Sequence, residues 1–217
     1  RCFAPNGQKV WEIANAHRGS VLAVYADANY ILSGGQDGAV RVWARKTHEL
    51  MMQFAEHTKP VTALIPDFEK PYLIHSCSLD KTTATFDLKA QRKIVAHQIK
   101  NGSFLDVTQR KDNEYELITC GQGGYLLVWD CDEANPVASA DYPYKLNTCR
   151  VSPDGNYLAV GSETGDVVIY NVKTMQQIAQ GDGHSAEVNR LQWSTDQKQL
   201  ISVAQDNSVF VWNFYAQ

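Results

Sequence analysis

The sequence lacks the two patterns that mark helical and membrane-spanning proteins. No long stretch repeats apolar residues at the 3.6-residue period of an amphipathic helix. No apolar run approaches the ~20 residues that a membrane-spanning helix needs. No signal-peptide pattern opens the chain. The first two absences favour an all-β protein without a membrane partner.

Cysteine and histidine patterns exclude a disulfide-stapled or metal-binding protein. The cysteines are odd in number and form no CxxC pair: Cys2, Cys77, Cys120, Cys131 and Cys149. We expect reduced, mostly buried thiols in a reducing compartment, and therefore a cytoplasmic protein. The six histidines form no HxH or HExxH arrangement. No metal site and no cofactor is predicted.

Neither sign of charge dominates the chain. It carries 20 Lys and Arg residues against 24 Asp and Glu residues, a formal net charge of −4. Because binding to a phosphate backbone requires a basic face, this balance predicts no nucleic-acid partner. The stretches GGQDG and CGQGG lack the helix and lysine of a phosphate-binding loop, so they are interpreted as turns between strands.

What the chain does have is an aromatic residue that recurs at an almost fixed spacing, each time at the end of a short apolar run. The residues are Trp43, Phe86, Trp129, Tyr170 and Trp212, at intervals of 43, 43, 41 and 42 residues. Self-similarity of this period indicates one supersecondary unit copied along the chain. The sequence therefore predicts five structural repeats.

Each repeat reads as a short extended run, a turn, and three further runs separated by polar or glycine-rich turns. The predicted repeats span residues 8–47, 48–90, 91–133, 134–174 and 175–217, and residues 1–5 are the remnant strand of a preceding unit. Four short antiparallel strands in about 42 residues describe a β-propeller blade. We expect a single propeller domain, or part of one, over residues 1–217.

With five copies in phase, the chain resembles the WD40-repeat proteins. The resemblance implies a hydrogen-bond chain inside each blade, from a Trp indole to a Ser or Thr hydroxyl, a His ring and an Asp carboxylate. The first and fifth repeats carry the full set: His17, Ser33, Asp37 and Trp43, and His184, Ser202, Asp206 and Trp212. The partial sets are His57, Ser76 and Asp80 with Phe86 in the second repeat, and His97, Thr119 and Trp129 with Gly123 in the third.

The fourth repeat has lost this set. Val160, Thr164 and Tyr170 occupy its positions. Where His, Ser and Asp do occur together, they recur at positions that define the fold, so they are interpreted as structural rather than as a hydrolase triad. No enzymatic activity is predicted.

Seven blades are the commonest number in the family that the chain resembles, and five repeats plus a remnant fall short of it. We therefore expect a fragment of a longer protein. Three arrangements are open: closure at five blades by pairing of residues 8–14 with residues 208–213, self-association through open blade edges, or completion by another segment or chain.

The candidate partner-binding residues lie in the loops that precede the innermost strands. Tyr142 and Tyr144 replace the usual Gly-His pair in the fourth repeat, and exposed tyrosines are typical interface anchors. The alternative is that both rings fill space left by the missing His network. Arg18 and Lys59 occupy the same loop in other repeats, but the turns of this face are chemically mixed and indicate no single ligand charge.

A propeller without a catalytic constellation acts through its loops, so the sequence predicts a scaffold that binds other proteins. The stretch RCFAPNGQKVWEIANAHRGSV is similar to the second propeller of cilia- and flagella-associated WD-repeat proteins. That resemblance implies tubulin or axonemal partners and location at the axoneme or basal body. The alternative function is a substrate receptor of a ubiquitin ligase, or another peptide-reading module.

Overall fold

The computed structural model describes residues 1–110, 116–130 and 133–215. These residues form twenty-one β-strands and no helix, so the prediction of an all-β fold is confirmed. Cys131 lies outside the described residues, as do residues 111–115, within the charged segment between two strands of the third repeat.

The strands form five antiparallel sheets, called here blades 1 to 5, and one hairpin. Blade 1 contains β3 (Val21–Ala26), β4 (Tyr30–Gly35), β5 (Val40–Ala44) and β6 (Leu50–Phe54). Blade 2 contains β7 (Val61–Pro66), β8 (Leu73–Ser78), β9 (Thr82–Asp87) and β10 (Arg92–Gln98). Blade 3 contains β11 (Phe104–Gln109), β12 (Glu116–Gly121), β13 (Tyr125–Asp130) and β14 (Ala138–Asp141). Blade 4 contains β15 (Leu146–Val151), β16 (Tyr157–Ser162), β17 (Asp166–Asn171) and β18 (Gln177–Asp182). Blade 5 contains β19 (Val188–Trp193), β20 (Gln199–Ala204) and β21 (Val209–Asn213), and the hairpin contains β1 (Cys2–Phe3) and β2 (Lys9–Trp11).

The blades are offset by one strand from the sequence repeats. Each predicted repeat holds four strands, but its first strand completes the blade before it. β6, from the repeat over residues 48–90, pairs with β5 of the preceding repeat, with Val40 opposite Phe54. The same offset pairs β2 with β1 and leaves blade 5 with three strands among the described residues.

The hydrophobic core is divided among the four interfaces between neighbouring blades. Between blades 1 and 2, Val40 and Val42 pack in one cluster with Val61 and Leu64. Corresponding clusters lie between blades 2 and 3, 3 and 4, and 4 and 5. Because the middle strands of the internal blades are covered on both faces, they are apolar almost without alternation.

The innermost strands of the blades, β3, β7, β11, β15 and β19, surround a central cavity. Its middle part, of about 300 Å³, is lined from all five strands. The cavity continues at one end, beside Leu22 and Arg190, into an opening of about 340 Å³. At the other end, beside Val24 and Arg150, it widens into a space of about 700 Å³. Residues of all five blades meet at this cavity.

Both ends of the row of blades are uncovered. Val24 in blade 1 is 66% exposed, whereas Leu64 at the same position of blade 2 is 7% exposed. Val209 in blade 5 is 63% exposed, whereas Val40 at the same position of blade 1 is 1% exposed. No described sheet covers either face.

Closure at five blades, one of the three predicted alternatives, is not formed. The strand that would close the ring, β2, pairs instead with β1, with Cys2 opposite Trp11. The Trp11 ring also stacks on His48 with ring centroids 4.0 Å apart, which fixes the hairpin against the turn between β5 and β6. The structure is therefore an open propeller.

Candidate functional site

Blades 1 and 5 contain complete hydrogen-bond chains. In blade 1 the Trp43 indole donates to Ser33 Oγ at 2.8 Å, and Ser33 Oγ lies 2.7 Å from His17 Nε2. His17 Nδ1 lies 2.8 Å from Asp37 Oδ1. In blade 5 the matching distances are 2.8 Å for Trp212 to Ser202, 2.6 Å for Ser202 to His184 and 3.0 Å for His184 to Asp206.

Blade 2 keeps the chain without its aromatic donor. His57 lies 2.7 Å from Ser76 Oγ and 3.0 Å from Asp80 Oδ2. Ser76 Oγ also lies 3.3 Å from the carbonyl of Ala84. Phe86 is fully buried and stacks on the ring of Phe54 at 4.6 Å, so packing replaces the missing hydrogen bond.

Blade 3 departs from the expected arrangement. Trp129 donates to Thr119 Oγ1 at 2.8 Å, as predicted for these two residues. His97, however, lies in the outermost strand of blade 2 rather than in a turn, and its Nδ1 is 3.2 Å from Thr83 Oγ1. Its ring stacks on Trp129 at 4.8 Å. The prediction that His97 belongs to the Thr119 chain is therefore wrong. The stretch from His97 to the innermost strand of blade 3 is longer than the corresponding stretch after His17 or His57, so His97 still lies in the outermost strand of blade 2.

Blade 4 contains a different network at the same place. The Tyr142 hydroxyl donates to Asp166 Oδ2 at 2.9 Å. The Thr164 hydroxyl donates to the same carboxylate oxygen and lies 2.7 Å from the Ser162 hydroxyl. Tyr142 is half-buried and packs against the cluster between blades 3 and 4. Burial, together with the hydrogen bond to Asp166, raises its pKa above the ordinary tyrosine value.

These networks are structural in their chemistry. The hydroxyls of Ser33, Ser76 and Ser202 are buried, and each is held between its histidine and a second partner. A nucleophile must present its oxygen to a substrate, and these oxygens face the blade interior. The networks therefore order the turns, and their serine hydroxyls are not presented to solvent.

The candidate partner-binding residues lie in three different blades. Tyr144 is 48% exposed, and its ring meets that of Tyr142 edge-on at 6.1 Å. Arg18 and Lys59 are exposed, and their side chains form no hydrogen bond or ion pair with the described residues. Tyr142 is packed and hydrogen-bonded within the fold, whereas Tyr144 is exposed, so only Tyr144 stays a candidate for partner binding here.

The central cavity holds a charged cluster that the sequence analysis missed. Asp106 is fully buried, and its Oδ2 accepts from Thr148 Oγ1 at 2.8 Å and from the backbone N–H of Cys149 at 3.2 Å. Arg150 Nη1 lies 2.7 Å from the same oxygen, and Arg190 Nη1 lies 3.4 Å from it. Burial opposes the charge of Arg150, but the nearby Asp106 carboxylate outweighs it and raises the pKa of the guanidinium.

A signal for this cluster exists in the sequence. At the third position of the five innermost strands the residues are Ala23, Ala63, Asp106, Thr148 and Arg190. When the five strands are aligned, Asp106 in blade 3 and Arg190 in blade 5 occupy the same position and line the same cavity.

A second buried polar network was also missed. His75 Nε2 and Gln109 Nε2 lie 3.2 Å and 2.8 Å from Asp67 Oδ2, and Asp67 Oδ1 accepts the backbone N–H of Lys70. Burial opposes ionisation of Asp67, but these hydrogen bonds hold its pKa well below the ordinary range. The network ties blade 2 to blade 3.

The described residues offer neither a metal site nor a membrane-spanning helix. Within the described ranges, no group of three or more His, Cys, Asp or Glu side chains is arranged to hold a metal ion. Over those ranges there is also no helix of the length and apolar character that crossing a membrane requires.

Radially arranged antiparallel sheets with these internal networks define a β-propeller. The model of the WD domain, G-beta repeat family matches residues 2–44, 140–171 and 175–213, which together are more than half of the chain. The chain belongs to the WD40 repeat family.

Several curated proteins are similar over most of the chain. Cilia- and flagella-associated protein 52 of Sus scrofa is 25% identical over 99% of this chain and 35% of its own length. Serine-threonine kinase receptor-associated protein of Homo sapiens is 20% identical over 96% of the chain and 59% of its own length. WD repeat-containing protein 1 of Gallus gallus is 25% identical over 89% of the chain and 33% of its own length. The chain thus spans about a third of the length of the ciliary relatives.

Proposed function

We propose that this protein is a non-enzymatic interaction platform of the ciliary or flagellar axoneme. The observation that carries the proposal is the whole-chain similarity to cilia- and flagella-associated proteins of several mammals. The fold supports it, because a rigid propeller presents loops from every blade on one face. Axonemal proteins, tubulin among them, are the proposed partners, and the axoneme or the basal body is the proposed location.

Co-sedimentation with stabilised microtubules tests the partner directly. The purified chain is expected to pellet with microtubules in proportion to tubulin and to remain in the supernatant without them. A tagged full-length protein in a ciliated cell tests the location, and signal along the axoneme is expected. A chain that stays soluble at saturating tubulin, with a tagged protein absent from cilia, would reject this function.

A peptide-reading module is the second candidate. The paired arginines in the central cavity favour it, since a reader needs a recognition group that a partner segment can reach. Recovery of cullin adaptors, in place of axonemal proteins, by affinity purification from the same cells would favour this candidate over the first.

A further inference from the structure

The chain contains two Asn-Gly pairs, and their surroundings differ. Asn6–Gly7 lies in the turn of the β1–β2 hairpin, and Asn101–Gly102 lies in the connection between β10 of blade 2 and β11 of blade 3. Asparagine is chemically labile, and a following glycine has no Cβ to shield its backbone nitrogen. Both pairs therefore have the residue types for loss of the side-chain amide, and the hydrogen bonds around each pair decide whether it reacts.

The first pair is held at both reacting groups. The Gly7 N–H donates to the carbonyl of Ala4 at 2.9 Å, and Asn6 Oδ1 accepts the N–H of Gln8 at 3.0 Å. The N–H of Ala4 also donates to the carbonyl of Gln8 at 2.9 Å, which closes the same turn. The Gly7 nitrogen and the Asn6 carboxamide must therefore leave their partners before they can react with each other.

The second pair is held at neither reacting group. Within the described ranges, the Asn101 side chain and the Gly102 N–H make no hydrogen bond. The Asn101 side chain is exposed, while its backbone carbonyl accepts from the Tyr125 hydroxyl at 3.4 Å. Because no partner has to be released first, the Asn101 carboxamide is free to approach the Gly102 nitrogen.

We propose that Asn101 is a site of spontaneous deamidation in the folded protein. The Gly102 nitrogen attacks Cγ of Asn101, so that an N–Cγ bond forms while the Cγ–Nδ2 bond breaks. The Nδ2 group leaves as ammonia with the proton that the Gly102 nitrogen loses, and a succinimide ring remains. Water then opens the ring at either carbonyl, which gives aspartate or isoaspartate at position 101.

The reaction adds a negative charge to a loop that precedes an innermost strand, as the loops of the candidate partner-binding residues do. This loop carries the exposed Lys100, whose carbonyl accepts from Lys81 Nζ at 2.9 Å. Deamidation places an anion directly after Lys100. A partner attracted by these two lysines would then meet a less positive surface.

The two products differ in their effect on the backbone. Aspartate keeps the length of the main chain and changes the charge alone. Isoaspartate inserts the Cβ of residue 101 into the main chain next to Gly102, where there is little room: a Cβ added to Gly102 would lie 2.2 Å from the carbonyl oxygen of Gln122. Isoaspartate is therefore expected to disturb the packing of the connection against blade 3 as well.

Mass spectrometry of the ageing protein tests the proposal. Trypsin places the two pairs in separate peptides, residues 2–9 and 101–110, and each peptide holds a single asparagine. The folded chain is incubated at mildly alkaline pH, and each peptide is followed for the mass gain that accompanies loss of ammonia and uptake of water. Asn101 is expected to react about tenfold faster than Asn6 or more, because the two hydrogen bonds at Asn6–Gly7 must break first.

Three controls separate the effect of structure from that of sequence. A zero-time sample corrects for reaction during digestion. In urea the hydrogen bonds around Asn6–Gly7 are lost, so the two asparagines are expected to react at similar rates. Asn101→Gln keeps an exposed amide but requires a larger ring that closes more slowly, so it should abolish the reaction in peptide 101–110 and leave the rate at Asn6 unchanged. A thermal melt checks that this variant folds.

Equal rates at the two asparagines in the folded chain would overturn the proposal. So would an unreacted Asn101 in the folded chain after a period in which the unfolded chain has reacted. A difference in rate that persists in urea would also overturn it, because that difference would come from the neighbouring residues rather than from the fold. None of these results depends on microtubule binding, so the modification site and the proposed function fail separately.

Discussion

Asp37 shows how much a single side chain can organise in this fold. Its carboxylate accepts from His17, from the backbone N–H of Arg18 and from the Arg41 guanidinium at 2.8 Å. Burial opposes its ionisation, but the Arg41 and His17 hydrogen bonds outweigh that effect and hold its pKa well below the ordinary range. One residue thus fixes a loop, a ring orientation and a turn.

Asp37→Ala is therefore expected to destabilise the protein by about 1–3 kcal/mol, since a buried imidazole loses its partner. Urea unfolding measures the change. Glu69→Ala removes an exposed carboxylate whose side chain has no partner among the described residues, so it should shift stability by less than about 0.5 kcal/mol. Equal midpoints for the two variants would contradict the structural role of the network.

Substitutions of Tyr142 and Tyr144 are expected to have opposite effects on stability and on partner binding. Tyr144→Ala should weaken partner binding and leave the melting temperature nearly unchanged, because the ring is half exposed. Tyr142→Ala should lower the melting temperature, because it removes the hydrogen bond to Asp166 and part of the core. Binding and melting are measured in parallel on both variants, and the reverse pattern would exchange the two roles.

At the scale of elements, the blades are joined through the turns between their second and third strands. Gly38 has a φ of +75°, and an added Cβ would lie 2.3 Å from the carbonyl oxygen of His57 in the next blade. Gly124 and Gly165 lie equally close to the backbone of the next loop. A Cβ added to Gly124 would lie 1.8 Å from the carbonyl oxygen of Tyr142, and one added to Gly165 would lie 2.3 Å from the carbonyl oxygen of His184. Backbone packs on backbone at these contacts, so the blades approach closely.

Gly38→Ala is expected to destabilise by about 2 kcal/mol or more, since it adds a clash with backbone to the cost of a positive φ. Gly7→Ala is the matched control, because Gly7 also has a positive φ, of 82°, but an added Cβ meets nothing within 4 Å. It should cost only the conformational term of about 1 kcal/mol. Denaturant midpoints compare the two, and equal losses would show that the blade contact contributes nothing.

The repeat period predicted the strands, because the same apolar runs and turns occur in every repeat. It did not show that the first strand of each repeat pairs with the preceding blade, since a period does not define where a blade begins. It also missed the cluster of Asp106, Arg150 and Arg190, whose residues belong to three repeats and occur once each. His97 was misassigned because the connection after it is longer than the one after His17 or His57.

At the scale of the whole molecule, buried ionisable groups make stability depend on pH. Burial lowers the pKa of His57 and His97, with nearby acidic side chains and backbone carbonyls opposing the shift. The pKa values of Asp37, Asp67 and Asp80 are lowered by their hydrogen bonds, against the effect of burial. In both sets the unfolded chain binds protons more readily than the folded one.

Stability is therefore expected to fall with decreasing pH in two stages. The first begins below about pH 6.5, where unfolded histidines gain protons, and the second below about pH 5, where unfolded aspartates do. Urea midpoints at pH 7.5, 5.5 and 4.0 measure both stages. His97→Phe keeps a ring against Trp129 and should reduce the first stage, and a midpoint that rises on acidification would contradict the assignment.

The uncovered faces of blades 1 and 5 predict self-association of the chain. Val209 and Val211 are exposed on blade 5 at positions that internal blades bury against a neighbour. Light scattering should show a mass that rises with concentration, and Val211→Lys should lower it toward the monomer. Gln176→Lys, in an exposed turn, is the control and should leave association unchanged. A wild-type chain that stays monomeric throughout would refute this expectation.

The one-strand offset has a consequence for how such a protein grows by gene duplication. A copied stretch of about 42 residues that begins at the outermost strand of one sheet delivers that strand to the sheet before it and three strands to the sheet after it. A copy with these bounds does not coincide with one sheet. Such a copy shares strands with both of its neighbours from the start, so the array lengthens as one continuous domain rather than as a series of independent domains.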